Sequence, residues 1–106
     1  MRKININVWK VKDQNGKEID ESLLSILGVL VTSKKPDEMP RGYAAFNLFR
    51  RLVKAFEDAN ETKILLLDED VYTFLRNIVE KDLPSNWGGS LQVYEAITLF
   101  MESKGD

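Results

Sequence analysis

Asp68, Glu69 and Asp70 stand side by side and form the densest group of oxygen ligands in the chain. The chemistry open to such a group is cation binding. A calcium loop needs alternating oxygen ligands, a central glycine and a distal glutamate, and that spacing is absent here. A triplet just ahead of an apolar periodic stretch reads instead as a helix start. Asp68 is expected to cap the first amides, with Glu69 and Asp70 in the first turn, where anions suit the helix dipole.

The rest of the chemical inventory is thin. The chain has no histidine and no cysteine. It therefore lacks the commonest general base near neutral pH, the commonest transition-metal ligands, and any thiol nucleophile or disulfide. Thr32, Ser33, Ser85 and Ser90 offer hydroxyls, and a Ser–Lys dyad is open to the composition, but no serine–lysine motif frames one. There is no Gly-x-x-x-x-Gly-Lys loop and no dinucleotide fingerprint. The chain reads as a non-enzyme, with no cofactor, no metal and no small-molecule substrate expected.

Binding remains. Arg41, Arg50, Arg51 and Lys54, with Tyr43 nearby, have the chemistry to grip phosphate and stack a base. Nucleic-acid binders show a stronger basic excess, whereas this chain carries a net charge of −2. The same basic helix meeting an acidic protein surface is the better reading, and Phe46 and Phe49 are expected in the core. Trp87 lies among turn residues in Asn86-Trp87-Gly88-Gly89. Tryptophan is over-represented among interface hot spots, but here it serves equally well as a plug closing the core between two helices. Trp9 poses the same alternatives. The candidate partner-binding residues are thus Arg50, Arg51, Lys54 and Trp87.

These residues need elements to position them. Ile4, Ile6 and Val8 alternate with polar residues, as in a half-buried strand. At Val8-Trp9 the parity flips to Trp9 and Val11, which a β-bulge or burial of both faces permits. Asp13-Gln14-Asn15-Gly16 is a turn signal. A type I turn with a glycine bulge sets Val11 opposite Ile19, apolar against apolar, and is preferred to the register pairing Val11 with Asp20. A helix is expected from Asp20, its cap, with Leu23, Leu24, Leu27, Leu30 and Val31 inward and Ile26 and Val29 widening that face. A second runs from about Gly42 to Ala59, with Phe46, Phe49, Leu52, Val53 and Phe56 inward and Asn60 as its stop. Ile64 to Leu67 reads as a short strand, a candidate partner for the N-terminal one. A third helix follows Asp68, with Val71, Leu75, Ile78 and Val79 inward and Tyr72 at the edge. A fourth runs from about Ser90, with Leu91, Tyr94, Ile97 and Met101 on one face. The tail from Ser103 is expected to fray.

The architecture expected is therefore one α+β domain over residues 1–106, a small N-terminal β-hairpin or sheet packed with about four α-helices. Its 106 residues suffice for a single modest core. No apolar run approaches a transmembrane span, and no h-region follows Met1-Arg2-Lys3, so a cytoplasmic protein without membrane contact is expected. The charge is uneven. Six cations and two anions lie between Lys34 and Lys54, and eight anions and three cations between Glu57 and Asp82. Such segments can pair within one chain or bring identical chains together, basic face to acidic face.

The order of features resembles small uncharacterised proteins of tailed bacteriophages and prophages. The resemblance rests on the opening Ile4-Asn5-Ile6-Asn7 strand and the turn Asp13-Gln14-Asn15-Gly16-Lys17-Glu18-Ile19. It continues through the leucine-rich helix, the amphipathic helix and the stretch Leu66-Leu67-Asp68-Glu69-Asp70-Val71. The Trp87-Gly88-Gly89 linker departs from that layout. The resemblance implies a viral protein in the host cytoplasm with a binding role, and it transfers no catalytic residue. The expected function is a self-associating assembly or accessory component acting through protein–protein contacts. The alternatives are a small regulator that binds and inhibits a host complex, and a nucleic-acid-binding module.

Overall fold

The computed structural model describes residues 1–104, apart from the side chain of Pro36. The parity change in the first twelve residues comes from the chain leaving one β-ladder for another. β1 (Arg2–Asn5) pairs antiparallel with β4 (Ile64–Leu67), setting Ile4 opposite Leu65. β2 (Val8–Lys12) pairs antiparallel with β3 (Glu18–Ser22) in a separate two-stranded sheet. The joint falls at Ile6-Asn7. Ile6 is buried and its N–H donates to the Lys63 carbonyl at 2.9 Å. No bulge within one strand is needed.

The hairpin takes the expected register, Val11 opposite Ile19. Asp13 organises the turn. Its N–H donates to the Lys17 carbonyl, its carbonyl accepts from Gly16, and its Oδ1 accepts from the N–H groups of Asn15 and Lys17. Gly16 has φ +80°, a left-handed conformation that side chains with a Cβ resist.

α1 spans Leu23–Thr32, and its cap is Ser22 rather than Asp20. Asp20 lies within β3, opposite Lys10 and ion-paired to it. The strand runs on to Ser22, so the helix can begin only where the ladder ends. Ser22 and Ser25 then form a capping box, each side chain accepting from the other's backbone N–H. Leu23, Ile26, Leu27, Leu30 and Val31 are buried, whereas Val29 is 54% exposed and does not widen the inner face.

α2 (Tyr43–Thr62) follows Gly42, whose φ of +103° suits only glycine. It continues past Asn60 and stops at Lys63, which adopts the left-handed conformation at φ +62° and donates its N–H to the Ala59 carbonyl at 2.8 Å. The reversal turns the chain directly into β4, against which α2 packs. α3 (Glu69–Asp82) buries Val71, Tyr72, Leu75, Ile78 and Val79. Tyr72, expected at the edge, is 2% exposed, and its hydroxyl donates to the Phe100 carbonyl at 2.8 Å.

α4 (Leu91–Met101) is capped by Ser90 and turns a different face inward from the one expected. Val93, Ala96, Ile97 and Phe100 are buried, while Leu91 and Tyr94 stay exposed. The helix carries apolar residues around most of its circumference, so spacing alone does not choose a phase. Phe100 fills the centre, its ring 5.0 Å from that of Tyr72. The assembly is α+β, with α1 touching each of the other three helices and the buried side chains forming one cluster. Ser103 is held, since Arg2 donates to its carbonyl; of the rest of the expected frayed tail, Lys104 is exposed, and Gly105 and Asp106 lie outside the described residues. Among the described residues no helix is long and apolar enough to cross a membrane.

Candidate functional site

Of the cations singled out from sequence, Arg41 precedes α2 and Arg50, Arg51 and Lys54 lie on it, the last two committed to carboxylates of their own chain. Arg51 forks across the start of α3, donating to both Asp70 oxygens at 2.8 and 2.9 Å and to Asp68 at 2.9 Å. These hydrogen bonds, Asp70's first and Asp68's second, push the guanidinium further above its ordinary value. The Arg51 hydrogen bond in turn holds the Asp70 carboxyl below its ordinary range. Lys54 pairs with Asp58 one turn on, at 2.9 Å, and its ammonium is raised chiefly by that bond. Arg50 remains the freest, 4.0 Å from Glu57.

The acidic triplet thereby acquires a role beyond capping. Asp68 occupies the N-cap position but makes no side-chain bond to the helix amides, because its carboxylate is turned to Arg51. Glu69 takes a two-pronged contact from Arg2 at 2.7 and 3.0 Å, and its pKa falls chiefly through that bond. The Arg2 guanidinium also lies 4.2 Å from the centre of the Tyr72 ring. Among the described residues no cluster of carboxylates is arranged to hold a metal ion.

Trp87 sits in a short 3₁₀ turn, Ser85–Gly89, half-buried against the core. That is the position of a plug between α3 and α4. Trp9 is also half-buried, its indole N–H donating to Glu21 Oε2 at 3.0 Å.

The least expected feature lies on α2. Phe46 and Phe49, expected in the core, are 69% and 37% exposed, and Tyr43 is 79% exposed. The buried residues of this helix are Leu52 and Ala59, with Leu48, Ala55 and Phe56 partly covered beside them. α2 carries two apolar stripes, and the one containing alanines faces the core, since small side chains let the helix lie close to β4. Phe46, Phe49 and Val53 form the other stripe, with Val53 half-buried, while Phe56 packs partly against the core as expected.

At the start of α2 the rings border an open groove of about 500 Å³, lined by Met39, Pro40, Ala45, Phe46, Phe49 and Phe74 among others. The Tyr43 and Phe46 rings lie 6.1 Å apart. Full burial of a side chain of this size is worth roughly 1.5–3 kcal/mol, which the chain by itself forgoes largely at Tyr43 and Phe46 and partly at Phe49. The sequence signal for this face was the second stripe itself, since one helix side cannot bury both.

The chemistry available here is apolar docking at a surface with Arg41 and Arg50 at its margin. No protein-family model, curated protein or solved structure matched the chain.

Proposed function

We propose that this protein acts by protein–protein contact, without catalysis, and that the aromatic face of α2 is its docking surface. One observation carries the reading: Tyr43, Phe46 and Phe49 are exposed together at the start of α2, beside an apolar groove. Contiguous apolar patches of this kind on a folded chain mark interaction sites. The setting that fits the phage-like order of its elements is an assembly or accessory component of a phage or prophage. Arg50 contributes at the rim of the contact. Arg51 acts indirectly, by tying α2 to the start of α3, and Lys54 pairs within α2 itself.

The test is affinity capture with the wild-type chain and with Phe46→Glu, the protein itself counted among the possible partners. Phe46 is exposed, so the variant should keep its fold, as circular dichroism would check. The expected result is a stoichiometric partner held by the wild type and released by the variant. Retention of every partner by Phe46→Glu would remove the face from consideration.

A further inference from the structure

We infer that Asn15 is a site of spontaneous deamidation, and that Asp13 sets its rate by holding the hairpin turn closed. Asparagine is among the thermally labile residues. Its side-chain amide is lost when the backbone nitrogen of the next residue attacks Cγ, and a Cβ on that next residue hinders the attack. Asn15 alone among the asparagines of the chain precedes a glycine; the others precede isoleucine, valine, leucine, glutamate or tryptophan. Asn15 and Gly16 are both exposed at the hairpin tip, and a Cβ placed on Gly16 would meet nothing within 4 Å. The tip is therefore uncrowded and open to water.

The reaction balances with water as its only co-reactant. The Gly16 nitrogen gives up its proton and bonds to Asn15 Cγ. The bond from Cγ to Nδ2 breaks, and ammonia leaves with that proton. Water then opens one of the two acyl–nitrogen bonds of the succinimide ring that remains. Opening at Cγ gives aspartate. Opening at the main-chain carbonyl gives isoaspartate, whose main chain runs through the side chain and is longer by a methylene.

Three hydrogen bonds accepted by Asp13 oppose the first step. The Gly16 N–H donates to the Asp13 carbonyl at 3.0 Å, which occupies the proton that must leave and fixes the peptide plane that must turn. Asp13 Oδ1 accepts from the N–H groups of Asn15 and Lys17, each at 2.9 Å, on either side of the reacting nitrogen. The negative charge of that carboxylate disfavours an amide anion between them. These restraints last only while the turn is closed. The β2–β3 hairpin is a two-stranded sheet separate from β1–β4, and so small a sheet has little stability of its own. Opening of this unit alone is enough to release Asn15.

Conversion also changes the hairpin. A carboxylate at position 15 repels that of Asp13, and isoaspartate lengthens a turn whose length sets Val11 opposite Ile19. The native hairpin thus has a chemical lifetime, and Asp13 extends it.

Peptide mass spectrometry of the intact chain, aged in mildly alkaline buffer, tests the inference, with isoaspartate separated from aspartate by chromatography. The expected result is Asn15 as the first amide converted, with isoaspartate among the products. The rate should rise several-fold in Asp13→Ser, which keeps an acceptor without the charge, and further in Asp13→Ala. In concentrated urea the wild type should react faster than when folded, and the three chains should converge. Hydrogen exchange on the aged protein should show β2–β3 less protected and β1–β4 unchanged. Earlier conversion of another amide in the folded chain, or no conversion of Asn15 in urea, overturns the site. A wild type as fast when folded as in urea, or Asp13 variants no faster than the wild type, overturns the role of Asp13. A deamidated hairpin as protected as the original overturns the effect on register.

Discussion

At the scale of single residues, two arginines decide what the acidic triplet does. Arg51 engages Asp68 and Asp70, and Arg2 engages Glu69, so each carboxylate at the start of α3 is tied to another part of the fold. The Asp70 and Glu69 carboxyls lie below their ordinary values of 3.8 and 4.5. A carboxyl lowered in this way holds its proton less readily when folded than when unfolded. The stability it contributes is therefore complete above the ordinary value and is lost as pH falls through the lowered one. Arg51→Gln should be less stable than the wild type near neutral pH, and the gap should close in acid, below about pH 4. Urea midpoints across that range measure it. A gap that stays constant with pH would show that Asp70 is not the carrier. Trp87→Ala distinguishes a plug from an anchor, because loss of the plug lowers the urea midpoint and loss of an anchor lowers partner binding alone. The half-buried position favours the first outcome.

At the scale of elements, α2 and its ends carry the sharpest expectations. Leu52 is 1% exposed and Phe46 is 69% exposed. Leu52→Ala should cost about 2–5 kcal/mol, and Phe46→Ala should stay within about 0.5 kcal/mol of the wild type. Denaturant unfolding of the two variants checks the inner face of the helix directly, provided it is done at low concentration, where self-association does not contribute. The reverse order would place the aromatic stripe in the core after all. The helix end offers a gain. Lys63 holds φ +62°, a conformation that costs a residue with a Cβ roughly 1–2 kcal/mol. Lys63→Gly should therefore stabilise the fold by about 1 kcal/mol, since its N–H bond to Ala59 involves only backbone. A loss of stability instead would mean that the Lys63 side chain, which donates to the Asn60 carbonyl at 2.9 Å, matters more than the backbone strain.

At the scale of the whole molecule, the two β-ladders do different jobs. The β1–β4 ladder ties the N-terminus to the middle of the chain, and Arg2 extends the tie to α3 and to the end of α4 through Ser103. Arg2→Gln should leave the β2–β3 hairpin as protected as before and speed amide exchange in the last turn of α4 several-fold. Hydrogen exchange read by mass spectrometry would show the contrast, and equal acceleration in both places would mean that Arg2 supports the whole fold and not one latch.

What could be read without coordinates was local. The Asp13-to-Gly16 turn set the register of Val11 on Ile19 because turn chemistry acts over four residues. Proline, glycine and the apolar period marked four helices, and the short run Ile64 to Leu67 was long enough for a strand partnered to the first. The α+β class follows from those pieces. Tertiary structure decided the rest. α2 and α4 each carry more apolar surface than one side can bury, so their rotation is settled by what they pack against. For α2 that is β4, and close approach there favours Ala55 and Ala59 over Phe46 and Phe49. The partners of Arg51 lie 17 and 19 residues further along the chain. No local period links them, and only the packing of α2 on α3 brings the charges within reach.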